Sequence, residues 1–376
     1  MRAVVMYEPG GLDALKIVDI DRPKPGPGQV LIKVAAAGVD AHDVIVRSGI
    51  RKMGVAYHDV TVHRNGGAEH KKAHILGHEI SGIVEEIGSQ VTTVKPGDRV
   101  ACKQLSSCGI CKLCRSGNET RCNRFVGNEG GYAEYVAINE DGVVKVPDDI
   151  DLKTSAMFAC AIGTALHAVK AVGKVQIGEN VLVTGASGGV GIHALQLCKS
   201  AGARVITVTS SPDKAPFLKQ YGADEVISAP DLNFHEQVKE LTDGEGVDVV
   251  VDCVGAPTFP SGFRSIAKAG RYLFVGAIDS NEIHISPALI FRKAISIHGP
   301  ASTTRQELKD VFTLVQRKQV KPVFAGEYAL EEAAIVHKLL EERKITGRAL
   351  LVPSIKPPSP RAKAGQKPSA TARGAR

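Results

Sequence analysis

The 376-residue sequence has no apolar run approaching the roughly 18 residues that a membrane helix needs. Its first residues, MRAVVMYEPGGLD, lack the long apolar core and small-residue cleavage site of a secretory leader. Both absences point to a cytoplasmic protein with no membrane partner. Eight cysteines in such a chain give no disulfide scaffold, because that compartment keeps thiols reduced. Acidic residues are missing from one end. Ser354 to Arg376 holds Lys356, Arg361, Lys363, Lys367, Arg373 and Arg376 and no carboxylate, so this tail carries six units of the formal net charge of +7. The remainder is close to neutral, which argues against a nucleic-acid partner for the folded part. The tail is rich in Pro, Ala, Ser and Gly, has almost nothing to bury, and reads as disordered.

What the chain does have is 43% hydrophobic residues, enough for a core in each of about two domains. The stretch NVLVTGASGGVGIHALQLCK, residues 180–199, is central. A β-branched run leads into the turn Gly185, Ala186, Ser187, Gly188, Gly189, Val190, Gly191, and a helical apolar pattern follows. Strand, glycine turn and helix form the setting in which such glycines bind a dinucleotide. Gly188 allows a pyrophosphate to approach the backbone, and Gly191 allows close packing of helix on strand. Alternating strands and helices continue for about a hundred residues, which predicts a doubly wound parallel sheet of six strands.

Before that region the chain is β-rich. RAVVMY, VLIKVAAAG, ILGHEISGIVEEIG, RVAC, GGYAEYVAI and VVKVP are short strands between Gly/Pro turns, as in a small barrel-like domain. Residues 40–49 read as a short helix capped by Asp40 and stopped by Gly49. Residues 50–74, with His58, His63, His70 and His74, show no periodicity and read as a long loop. From Asp151 the chain turns helical. Ser211 is placed to cap a helix with Pro212 at its first position.

Cys108, Cys111, Cys114 and Cys122 have the spacing of a loop that wraps a tetrahedral Zn²⁺ with no open position, a structural site. Cofactor choice is read from the second strand of the nucleotide unit. Thr209 stands where a carboxylate would hold the ribose 2′-OH of NAD, and Ser210, Ser211 and Lys214 could engage a 2′-phosphate. NADP(H) is therefore expected over NAD(H).

GHE at 77–79, the four-cysteine lobe, GGYAEYV, TGASGGVG and the closing GRALLVP together resemble the zinc-containing alcohol dehydrogenases of the medium-chain dehydrogenase/reductase superfamily. The likeness spans residues 1 to about 353. The second half, with VDCVGAPTF and the segment 301–304, is also similar to the NADPH-dependent acryloyl-CoA reductases. The resemblance implies a GroES-like catalytic domain (1–155), a Rossmann domain (156–299), a return to the first domain (300–353) and the basic tail (354–376). It also implies a second, catalytic zinc held by the counterparts of Asp40, His78 and Cys160, with Glu79 nearby.

Asp40 departs from the family pattern, which has cysteine there. It keeps the negative charge and can ligate through oxygen, or it can serve only as a helix cap. Asp43 matches an acid that hydrogen-bonds the ligating histidine. His42 replaces a Ser or Thr that takes the substrate proton, and is either a general base or an uninvolved surface residue. Ile45 removes one version of a relay. Arg305 matches a family arginine on cofactor phosphate, or is a surface charge. The activity implied is hydride transfer between NADP(H) and an alcohol, aldehyde or ketone. The alternatives are reduction of an activated C=C bond and a non-catalytic NADPH-binding protein. A small-molecule substrate and a dimer or tetramer are expected.

Overall fold

A computed structural model describes residues 1–50, 59–63 and 70–357. Most of the long loop expected at 50–74 and nearly all of the basic tail lie outside the described residues.

Both ends of the chain build the first sheet. The strand Gln29–Val39 is long enough to pair with three neighbours: Glu79–Ile87, Tyr135–Asn139 and, from the far end, Arg348–Leu351. Register shifts at Leu31/Ile32 and Val34/Ala36 bend it between them, which is how one strand serves a curved, barrel-like sheet. Its inward residues Val30, Ile32 and Val34 bury against Ile80, Val84 and Val100. A second sheet joins Leu15–Asp19, Arg2–Met6, His70–Ile75 and Asp59–His63. The last two strands form an antiparallel hairpin, so part of the stretch read as a loop is strand. Its alternation is carried by Val60, Val62 and Ala73 and is diluted by intervening His and Lys.

The nucleotide unit is as the sequence predicts. Its six parallel strands run Glu225–Ser228, Arg204–Thr209, Asn180–Thr184, Val247–Asp252, Ile266–Phe274, Ser296–His298 across the sheet. The order reverses at Asn180–Thr184, the crevice where doubly wound sheets bind ligands. The glycine turn sits at that strand's carboxyl end. Gly185 has φ +60°, and a Cβ on Gly191 would strike Ala186 Cα at 2.8 Å.

Between the two units lies the helical segment 154–172, which winds partly as a π-helix over Phe158–Thr164 and His167–Val172. It is long and apolar enough by composition to cross a membrane, contrary to the expectation from the sequence, but 72% of it is buried inside the protein. Phe158, Ile162 and Leu166 pack there on Ile192, Leu195 and Phe312. It is the core helix that joins the units.

Candidate active site and its relatives

The helix Ala41–Ser48 starts beside the end of the strand Gln29–Val39. Asp40 caps it in a reciprocal box with Asp43: Asp43 N–H donates to Asp40 Oδ1 and Asp40 N–H to Asp43 Oδ2, both at 3.1 Å. The cap leaves Asp40 Oδ2 pointing elsewhere, 3.6 Å from His78 Nε2 and 3.8 Å from Cys160 Sγ. Glu79 completes the group. One donor atom from each of Asp40, His78, Glu79 and Cys160 lies within 4.8 Å of all the others. Ligands around a tetrahedral zinc at the usual bond lengths stand about 3.3–3.8 Å apart. The Asp40–His78 and Asp40–Cys160 separations match that spacing. The two readings of Asp40, cap and ligand, use different oxygens and are compatible.

Three stretches far apart in sequence meet here for local reasons. Gly38 faces Glu79 across the strand pair, and any side chain at 38 would collide with the Glu79 carboxylate. Cys160 projects from the π-helical turn, a geometry frequent at functional positions.

Arg348 is the residue the sequence reading missed. Its side chain is 5% exposed, with Nη2 2.7 Å from Glu79 Oε1, 3.9 Å from Cys160 Sγ and 4.0 Å from Asp40 Oδ2. The only signal was a charge inside an otherwise apolar strand, RALL. Its guanidinium also lies on Gly189, where a Cβ would meet Cζ at 2.5 Å. The adjoining Gly347 bridges Gly188 and donates to Ser187 O at 2.9 Å. One arginine thus touches both the donor cluster and the glycine turn.

The electrostatics follow from this packing. Burial pushes Glu79 up to about 8 against the pull of Arg348. Burial also works against ionisation of Asp40, but the neighbouring His78 and the Arg348 guanidinium hold it below the usual carboxylate range. Burial lowers His78, favouring the neutral imidazole that ligates metal. It raises the Cys160 thiol, helped by Glu79 and Asp40. Burial thus keeps Glu79 and the Cys160 thiol from ionising beside Asp40, a penalty that a divalent cation among the four donors would relieve, so the donor set fits the zinc that the family resemblance implies.

Behind His78, burial and Asp40 raise Asp43 to about 7. Asp43 Oδ1 accepts from Gly77 N–H at 3.2 Å and stands 4.0 Å from His78 Nδ1, which has no hydrogen-bond partner among the described residues. His42 meets His78 edge to face, ring centroids 5.1 Å apart. Ile45 is buried.

In the lobe, Cys111 Sγ lies 3.4 Å from Cys114 Sγ and 3.9 Å from Cys122 Sγ, and Cys108 Sγ 4.0 Å from Cys114 Sγ. Backbone N–H groups of Ile110 and Cys111 lower Cys108 to about 6, while burial and the neighbouring thiols raise Cys114 to about 12. Four sulfurs crowded round one point fit a closed zinc site. The buried Lys103 anchors the lobe, pairing with Glu119 at 3.2 Å and Asp141 at 3.1 Å.

At the end of the second nucleotide strand, Thr209 Oγ1 accepts from Ser211 N–H at 3.0 Å. The Ser211 side chain makes no capping bond, contrary to expectation, because its backbone is held by Thr209. Ser210 Oγ accepts from Arg343 Nη1 at 3.1 Å, and Lys214 Nζ donates to Arg343 O at 2.7 Å. Arg343 therefore joins the residues named from sequence. Arg305 does not go to the glycine turn. Its guanidinium donates to the carbonyls of Val143 at 2.8 Å, Glu140 at 3.2 Å and Asp141 at 2.6 Å.

Residues 26–148 match the alcohol dehydrogenase GroES-like domain, and residues 189–317 the zinc-binding dehydrogenase domain. The chain is 34% identical to an acryloyl-coenzyme A reductase of Sulfurisphaera tokodaii, over 94% of this chain and 100% of that protein. Among solved structures, AibC is 40% identical, with TM-score 0.80 over 95% of this chain and 96% of its own. An NAD-dependent alcohol dehydrogenase is 33% identical, with TM-score 0.83 over 94% and 99%. Matched along its whole folded length, in both domain types, the chain belongs to the medium-chain dehydrogenase/reductase superfamily of zinc-type alcohol dehydrogenases and related reductases.

Proposed function

We propose that this oxidoreductase transfers hydride between NADP(H) and an alcohol, aldehyde or ketone at the Asp40, His78, Glu79 and Cys160 cluster. The observation that carries this is the convergence of those four donors in one buried point beside the glycine turn. A zinc ion bound there supplies Lewis-acid polarisation of a substrate oxygen, and the nicotinamide supplies the hydride. The chain's own residues do the rest. Asp40, His78 and Cys160 hold the ion, and Arg348 keeps Glu79 charge-compensated at the cluster's edge. Asp43 would orient His78, and His42, which meets the His78 ring edge to face, would exchange the substrate proton.

NADP(H) is favoured by Thr209 in place of an acid, and by Ser210, Lys214 and Arg343 around the same point. Losing one charge-assisted bond to a 2′-phosphate costs about 1.5–3 kcal/mol. Arg343→Ala should therefore raise the KM for NADPH about tenfold or more and leave that for NADH nearly unchanged. An equal effect on both cofactors would remove Arg343 from the phosphate site.

A second reading is reduction of a conjugated C=C bond, with hydride to the β-carbon and a proton to the α-carbon. The relative named acryloyl-coenzyme A reductase favours it. Zinc analysis with NADPH oxidation on aldehydes, ketones and enoyl-CoA thioesters separates the two. Carbonyl turnover dependent on a second zinc supports the first reading. Enoyl turnover alone, or one zinc per chain, supports the second.

A further inference from the structure

Behind the donor cluster a hydrogen-bonded chain runs away from the cleft into the far helix of the first unit. Asp43 Oδ2 accepts from Tyr132 O–H at 3.0 Å, and Tyr132 Oη lies 3.2 Å from His337 Nε2. Asp43, Tyr132 and His337 are each no more than 1% exposed. His337 sits in the helix Ala333–Glu341, which packs across the helix Ala41–Ser48 that Asp40 caps. Asp43 Oδ2 is thus held by Tyr132 O–H and Asp40 N–H, and Oδ1, the oxygen facing His78, by Gly77 N–H.

The direction of each bond can be assigned. Both Asp43 oxygens act as acceptors, Oδ1 from Gly77 N–H and Oδ2 from Asp40 N–H and Tyr132 O–H, so the single Tyr132 proton points to Asp43 and the Tyr132 oxygen must accept from His337. His337 then carries its proton on Nε2. Its Nδ1 is buried with no partner among the described residues, so the other tautomer would bury an unpaired N–H, which costs about 1–3 kcal/mol. Burial and Arg47 push His337 down to about 3, so the neutral ring with one proton is the form present. An apolar side chain of the same size would fill the space. What histidine adds is one N–H aimed at Tyr132.

We propose that His337 is a positioning residue for the cleft metal, acting through Tyr132 and Asp43 on the imidazole of His78. This rests on the reading that the cleft holds zinc. His337 fixes the Tyr132 rotor, Tyr132 fixes the Asp43 carboxylate, and Asp43 Oδ1 is the acceptor nearest His78 Nδ1, at 4.0 Å. As the carboxylate oxygen facing Nδ1, it favours the tautomer that leaves His78 Nε2 free for the ion, and losing such support typically costs about 10- to 100-fold in metal affinity.

The test is the release of zinc from the purified full-length protein to a chelating dye, with the lobe zinc as internal control. The cleft zinc should leave about tenfold faster in His337→Phe and in Tyr132→Phe, with lobe release unchanged. His337→Gln, which restores an N–H donor, should recover most of the wild-type rate. The double variant should release no faster than Tyr132→Phe alone, because both act through one hydroxyl. Wild-type release in His337→Phe, or two independent effects in the double variant, overturns the proposal. If His337→Phe does not fold, Tyr132→Phe decides, since it removes one hydroxyl; unchanged release there also overturns it. A wild-type protein holding the lobe zinc alone overturns the cleft-metal reading, and this inference with it, before any variant is compared. Two zincs with an indifferent His337 overturn this inference alone.

Discussion

Asp40 divides its carboxylate between two tasks, Oδ1 to the Asp43 N–H and Oδ2 to the cluster with His78 and Cys160. Asp40→Asn separates them. Asparagine caps a helix about as well as aspartate, so the melting temperature should move little. The substitution removes a negative donor from the cluster, so zinc content should fall from two per chain to one and carbonyl turnover should be lost. A variant with full zinc and full activity would show that Asp40 only caps. At this scale the sequence was legible where chemistry is concentrated in rare residue types. The four cysteines could be named because their spacing is unusual, and His78 and Cys160 because the family resemblance points to them. Arg348, Arg343 and His337 could not. Each is an ordinary polar residue in its own segment, and its importance comes from a partner more than a hundred positions away.

Elements were readable where the pattern was clean. The central nucleotide strands Arg204–Thr209, Asn180–Thr184 and Val247–Asp252 are mostly apolar and buried, as strands covered on both faces should be. The hairpin of Asp59–His63 and His70–Ile75 was hidden because His and Lys interrupt its apolar alternation in the sequence. The π-helical winding of Phe158–Thr164 leaves no trace in composition. The helix Gly189–Ser200 carries a further consequence in His193, which is fully buried. Its Nδ1–H donates to Gly189 O at 2.6 Å, and its Nε2 accepts from Val323 N–H at 3.1 Å. Both nitrogens are used only by the neutral ring. Burial lowers it from 6.5 to about 4. Between those values the unfolded chain binds more protons, so stability falls as pH is lowered, by roughly 3 kcal/mol at pH 4. His193→Gln cannot titrate, and its loss of melting temperature between pH 7 and pH 4 should be shallower than the wild type's. Parallel acid slopes would assign the acid limb to other groups.

Across the whole molecule, Arg305 ties the helix Arg305–Gln316 to the turn at 140–143. Its backbone N–H is bonded to Glu119, which also pairs with Lys103. Nucleotide unit, first sheet and cysteine lobe therefore meet at one residue. Arg305→Ala should lower stability by about 1–3 kcal/mol, seen as a drop of a few degrees in melting temperature. The KM for NADPH should stay within about twofold, because the guanidinium is committed to carbonyls. A large rise in that KM with unchanged melting would return Arg305 to the cofactor. The doubly wound sheet and barrel-like domain were legible because their strands follow one another. The join was not, since it depends on residues far apart in sequence.

The pairing of Arg348–Leu351 with Gln29–Val39 sets a schedule for synthesis. A ribosome adding about 5–20 residues per second makes the first of these strands early and its partner about 300 residues later. For roughly 15–60 s the Ala37–Val39 edge has no partner from its own chain. The nucleotide unit, whose six strands all lie between residues 180 and 298, can close in the meantime. The newborn protein therefore waits with a finished second unit and an unfinished first one. In that interval an open strand edge can capture a neighbouring nascent chain, which makes this the period when a chaperone has most to protect.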